Sequence, residues 1–106
     1  MGRRVIRGEV WFAEAGHKRR PVIVLTRTEV LDVRALVTVA EITTSMRGLA
    51  VEVEVDHLAV GLNDPCVINC DGIHTVPQST LTLRVGAVDT TTMERVCGAI
   101  SYALGC

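Results

Sequence analysis

Gly16-His17-Lys18-Arg19-Arg20-Pro21-Val22-Ile23-Val24-Leu25 passes from four polar residues directly into an apolar run. A strand over residues 20 to 27 places apolar side chains on both of its faces, so it must be buried on both sides and lie inside a sheet. Pro21 has no backbone N–H and fits best at the first residue of a strand or on an edge. It also biases Arg20 toward an extended backbone, which holds the guanidinium at the rim of the sheet. Arg20 is therefore the first candidate functional residue. The competing reading is a solvated charge at a strand end.

The flanking segments have strand character too. Gly8 to Glu14 reads as a first strand, with Val10 and Phe12 on one face and Trp11, placed in the core, on the other. After a polar break at Glu29 and Asp32, Ala35 to Thr44 forms a third strand that ends in the hydroxyls of Thr43, Thr44 and Ser45. Ser45-Met46-Arg47-Gly48 suits a hairpin turn, with Gly48 free to take positive φ. Leu49, Val51, Val53 and Val55 then alternate with Glu52, Glu54 and Asp56, the pattern of a strand with one face in the core and one in water. His57 falls in an exposed turn. Gly61, Asn63, Asp64 and Pro65 supply turn chemistry before a fifth strand, Cys66 to Asp71. Short strands joined by turns, without crossover helices, predict a small antiparallel β-barrel or strongly bent sheet.

The period changes at the end of the chain. Met93, Val96, Cys97, Ile100 and Leu104 recur at three and four, as on the apolar stripe of a helix. Asp89 or Thr91 can cap it, and Thr91 with Glu94 fits a capping box. Gly98 costs about 1 kcal/mol in a helix interior, so packing against the sheet must hold this helix.

At 106 residues the chain is expected to form one domain, residues 1–106, with a core large enough to fold without staples. No stretch approaches the ~20 apolar residues of a membrane span. The basic N-terminus is followed by no apolar h-region, so no secretory signal is expected and the cytoplasm is the expected compartment. Cys66, Cys70, Cys97 and Cys106 lack the C-x₂-C spacing of zinc sites and read as buried small side chains plus a terminal thiol. His17, His57 and His74 precede no second ligand at metal spacing, so neither a metal nor a cofactor is expected. No P-loop, dinucleotide fingerprint, G-x-S-x-G or H-E-x-x-H occurs.

The net charge of −1 conceals an asymmetry: residues 1 to 27 carry seven Lys/Arg against only Glu9 and Glu14. A basic segment of this kind can meet phosphates even in a slightly acidic protein, because local potential governs contact. Arg, Thr, Ser, His and Glu near strand ends suit charge stabilisation at a phosphate.

Arg7-Gly8-Glu9-Val10-Trp11 is followed by Gly16-His17 ahead of Arg20-Pro21-Val22-Ile23-Val24. Then come Ile42-Thr43-Thr44-Ser45, Val67-Ile68-Asn69-Cys70-Asp71, Ile73-His74-Thr75 and Thr92-Met93-Glu94-Arg95-Val96. In this order, and at compatible spacing over nearly the whole chain, these segments resemble the MazF/PemK toxins. The resemblance implies an SH3-like barrel of the PemK/CcdB type with a C-terminal helix, assembled as a homodimer. It also implies an mRNA interferase: a metal-independent, cofactor-free endoribonuclease cleaving single-stranded RNA at selected sequences in mRNA, tRNA or rRNA. The products would be a 2′,3′-cyclic phosphate and a 5′-hydroxyl, and a cognate antitoxin protein would inhibit the reaction.

By this resemblance Arg20 falls on the catalytic arginine of the R-P-V motif and Thr43 on the catalytic threonine at the end of the third strand. The chemistry of the two residues agrees. Attack of a 2′-hydroxyl on the adjacent phosphate builds charge on non-bridging oxygens, to which a fixed guanidinium can donate twice and a threonine hydroxyl once. Glu14, His17 and Glu41 are all candidates for the general acid or base, and the sequence does not choose among them. His17, Lys18, Arg19, Ser45, Arg47 and His74 are the expected RNA contacts. Two departures from the family pattern bear on specificity. The loop between the first two strands is shorter, which offsets Glu14 from the family's loop glutamate. Asp71-Gly72-Ile73-His74 replaces a common Asp-Gln-Ile-Arg. A gyrase-directed toxin of the same fold, or an SH3-like binding module, is the alternative, since fold does not decide function.

Overall fold

The computed structural model describes residues 4–106 except Gly16 and His17, with Ala15 described by its backbone alone. The readings of His17 as an RNA contact or proton-transfer residue, and of the first three residues as part of the basic segment, lie outside the described residues.

Six strands form one antiparallel sheet: β1 Glu9–Ala15, β2 Lys18–Val24, β3 Leu36–Thr43, β4 Glu52–Val55, β5 Cys66–Pro77 and β6 Leu81–Ala87, in the order β4-β5-β3-β2-β1-β6. Among the described residues two α-helices accompany it, α1 Thr28–Leu31 and α2 Thr90–Leu104, with a 3-10 turn at Gln78–Thr80. As expected, β2 is buried on both faces. Ile23 joins Val10, Ala40, Ile42, Val53, Ile68 and Cys70 in a core covered by Val96 and Ala99 of α2. Val22 and Val24 join Trp11, Val37, Val39 and Leu81 in a second core on the opposite face, where Leu31 of α1 also packs.

The sheet bends strongly without closing through a β4–β6 ladder. The loop after β4 crosses β6 instead, and it does so where two glycines allow the backbones to meet. A Cβ on Gly86 would stand 2.4 Å from the Val60 carbonyl oxygen, and one on Gly61 would stand 2.0 Å from that of Val85.

Several boundaries differ from the sequence reading, each for a local reason. β5 continues six residues past Asp71, because the backbone resumes pairing with β3 after a shift that leaves Cys70, Asp71 and Gly72 between the partners of Glu41 and Ala40. Ser45–Gly48 is not a hairpin turn, because β5 lies between β3 and β4 and the connection passes over it. Leu49 is 45% exposed rather than in the core, and the fourth strand begins only at Glu52. Glu52 ends the preceding loop by accepting the backbone N–H groups of Arg47 and Gly48, each at 2.9 Å. β6 and the four-residue α1 were absent from the expected elements.

In α2 the cap is Asp89, whose carboxylate accepts the Thr92 N–H at 2.8 Å, so Thr91 does not cap and its box with Glu94 does not form. The Thr92 hydrogen bonds hold the Asp89 carboxyl below the usual range. Val96 faces the core and Leu104 faces water, while Gly98 points into open space.

Candidate active site

Three rungs join β2 to β3: Val24 to Val39, Ile23 to Ala40 and Val22 to Glu41. Beyond the last rung the strands separate, with Lys18 to Pro21 pairing only with β1 and Ile42 and Thr43 only with β5. Pro21 is the reason on the β2 side, because it has no N–H to offer a further rung. It is thus neither the first residue of its strand nor on an edge strand of the sheet, but the local edge it occupies satisfies the same constraint. The result is a fork. Arg20 stands on one prong and Thr43 on the other, each two residues past the last rung.

Clefts open on both sides of this fork. The larger, about 640 Å³, is lined by Glu14, Arg20, Glu41 and His74 over an apolar floor that includes Ala13, Val22, Val39 and Val76. The smaller, about 290 Å³, is lined by Thr43 and Thr44 with Phe12, Pro21, Ile42, Asn63 and Asp64. Arg20 and Thr43 therefore face the same parting of the sheet from neighbouring clefts.

The charges are unequally occupied. Among the described residues the Arg20 side chain makes no hydrogen bond or ion pair, so its five N–H donors are available to a ligand. Arg19 is held, with its guanidinium 4.7 Å over the Phe12 ring and 3.7 Å from Glu14. Lys18 is exposed at the start of β2. The Thr43 hydroxyl oxygen accepts the Ser45 N–H at 3.0 Å, which fixes the oxygen and leaves its hydrogen free to donate.

His74 and Glu41 are hydrogen bonded through His74 Nε2 and Glu41 Oε2. Sequence reasoning named both residues but gave them separate roles. They are diagonal neighbours on one face of the β3–β5 ladder, with His74 opposite Val39 and Glu41 two residues on, where the register shifts at Cys70–Gly72. Arg47 does not reach either cleft and is ion-paired at 3.2 Å with Glu52.

Two of the three cysteines expected to be buried, Cys66 and Cys70, are buried, while Cys97 is exposed on α2, and all four thiols are free. Burial, with Asp71 and Cys97 nearby, pushes the Cys70 thiol up to about 11, so it is an inert packing group.

Residues 6–104 match the family described as PemK-like, MazF-like toxin of type II toxin-antitoxin system. The chain is 35% identical over 100 residues to the probable endoribonuclease MazF2 of Mycobacterium tuberculosis, covering 94% of this chain and 98% of that one. The solved structure of the Mycobacterium tuberculosis toxin MazF-mt6 superposes with a TM-score of 0.85 at 38% identity, covering 92% of this chain and 96% of that chain. A mycobacterial endoribonuclease in complex with its cognate antitoxin shares the fold, with a TM-score of 0.82 at 24% identity over 95% of both chains. Taken with the R-P-V fork and its threonine, the match over nearly the full length shows that the chain belongs to the PemK-like, MazF-like toxins of type II toxin–antitoxin systems.

Proposed function

We propose that this chain cleaves single-stranded RNA at the fork between β2 and β3, using Arg20 and Thr43 to stabilise the pentacovalent phosphorus. As a PemK/MazF-family toxin it acts as an endoribonuclease and has an antitoxin as its cognate partner. The observation that carries the site assignment is the placement of Arg20, unpaired among the described residues, across the parted strands from Thr43. The 2′-hydroxyl of the substrate is the nucleophile. Its attack breaks the bond to the 5′-oxygen and leaves a 2′,3′-cyclic phosphate on one fragment and a 5′-hydroxyl on the other.

Charge grows on the non-bridging oxygens during this step, and a planar guanidinium donates to two of them at once. Lys18 and Arg19 extend the basic rim along which the RNA backbone runs, and Ser45 lies beside Thr43 to meet the next nucleotide. A homodimer doubles this rim into a groove long enough for several nucleotides. The acidic segment of an antitoxin, folding across the groove, competes for the same cations. Such a protein works on RNA in the cytoplasm.

Incubation of the purified protein with a long RNA in excess EDTA tests this reading. We expect cleavage at a limited set of sites, giving 5′-hydroxyl ends that a kinase labels directly. Intact RNA, or cleavage that appears only when Mg²⁺ is restored, overturns it.

A further inference from the structure

We propose that His74 is the general base of the cleavage step and that Glu41 is its positioning residue, an inference that rests on the endoribonuclease reading above. Glu41 lies on the last β2–β3 rung, opposite Val22, and His74 lies opposite Val39 on β5, so both line the cleft that holds Arg20. The two are diagonal neighbours on one face of the β3–β5 ladder, at the point where its register shifts. A Cβ on Gly72 would stand 3.3 Å from Glu41 Cδ, and the glycine leaves the carboxylate its place. The Glu41 side chain is 30% exposed and that of His74 53%, so the carboxylate sits behind and the ring in front.

When the imidazole is neutral and the carboxylate ionised, the carboxylate can only accept, so this contact puts the imidazole proton on Nε2. Nδ1 is then left with a lone pair and, among the described residues, no partner. This is the tautomer a base requires, oriented by a third group as in other acid–base pairs. Glu14, the other carboxylate of the cleft, is already engaged by Arg19. In the proposed step the 2′-oxygen forms its bond to phosphorus as its proton passes to Nδ1. The P–O5′ bond breaks, the 5′-oxygen takes a proton from water, and the imidazolium later returns its proton to solvent.

The test is single-turnover cleavage at saturating protein, paired with binding of an uncleavable 2′-deoxy RNA of the same sequence. We expect His74→Gly to slow cleavage by about 10²- to 10⁴-fold, to bind the deoxy RNA within about threefold of wild type, and to recover rate on addition of imidazole. Glu41→Gln should lose less, about tenfold, and gain nothing from imidazole. Far-UV circular dichroism and thermal melting confirm that each variant is folded. Should His74→Gly prove unfolded, His74→Asn on the same assays decides. A folded His74 variant that cleaves at the wild-type rate, or that loses deoxy-RNA affinity in proportion to rate without imidazole rescue, overturns the proposal and leaves the endoribonuclease reading intact. Wild-type protein that leaves RNA uncut ends both.

Discussion

Gly86 lies against the carbonyl of Val60 so closely that an alanine Cβ would stand 2.4 Å from the oxygen and 3.0 Å from Val60 Cα. The obstructing atoms are backbone, which cannot rotate aside. Gly86→Ala should therefore push the β4–β5 loop off β6, expose Val60, and destabilise the protein by about 2–4 kcal/mol. Urea unfolding followed by the single tryptophan reads this directly. An unchanged midpoint would show that the crossing is not part of what holds the bent sheet.

Glu9 and Arg84 tie β1 to β6 by a second device. The Glu9 side chain is only 8% exposed, and its carboxylate accepts the Ile6 N–H at 2.7 Å, the Trp11 indole N–H at 3.1 Å and Arg84 Nε at 2.5 Å. Arg84→Met keeps much of the apolar stem but leaves a covered carboxylate short of its cation. The expected loss is about 1–3 kcal/mol in the same unfolding experiment. Replacing both residues, as Glu9→Gln with Arg84→Met, should cost less than the two single changes added together.

Much of this architecture is legible in the residues, and the failures have a common cause. Apolar alternation in β1 and β4, an apolar run in β2, and polar breaks or turn residues around β3 and the start of β5 located these strands, because one-sided or two-sided burial leaves a local trace. β6 carries the same alternation in Leu81-Thr82-Leu83-Arg84-Val85, but only Leu81 is fully buried while Leu83 is 46% exposed, so burial does not sharpen the pattern. The order of strands is not local at all. Nothing in Ser45–Gly48 distinguishes a hairpin from a passage over β5. The candidate site divides along the same line. Arg20, Pro21 and Thr43 could be singled out from sequence type and position. The His74–Glu41 contact depends on the pairing of β3 with β5 across thirty-three residues, which no local pattern announces.

Glu52 should make the β3–β4 loop sensitive to acid. Burial works to raise its pKa but is outweighed by hydrogen bonds from the backbone of Arg47, Leu49 and Gly48 and from the Arg47 side chain, so the carboxyl lies below its usual 4.5. The unfolded chain therefore takes up this proton first as pH falls. The stabilisation is complete above 4.5 and is lost as pH drops through the lower folded value. Glu52→Gln should remove this part of the acid limb, so that the stability difference from wild type shrinks on going from about pH 6 to about pH 3. A difference independent of pH would show that the loop does not depend on the charge.

Thr43 contributes a hydroxyl whose oxygen is fixed by Ser45 and whose hydrogen is free. Thr43→Val keeps the shape and removes the donor, and should lower the single-turnover rate by about 10². Thr43→Ser should stay within about tenfold of wild type, since the donor is retained with more rotational freedom. Equal losses in the two variants would show that the hydroxyl is not what the reaction uses.

Arg20→Lys separates transition-state stabilisation from simple attraction of RNA. Arg20 begins the R-P-V segment, with Pro21 restricting its backbone and no partner among the described residues competing for its guanidinium. If the charge served only to hold the backbone, lysine would preserve it, and cleavage at saturating protein would be near normal. If the planar fork braces the phosphoryl oxygens as charge develops, lysine loses the bidentate geometry. The cost is then about 2–4 kcal/mol in the barrier, or about 10²–10³ in rate. Binding of 2′-deoxy RNA should fall by much less, because the ground-state phosphate lacks the charge that the fork is placed to meet. The expected result is the large rate loss with nearly preserved affinity, and an Arg20→Lys protein that cleaves at full single-turnover rate would remove Arg20 from the chemistry.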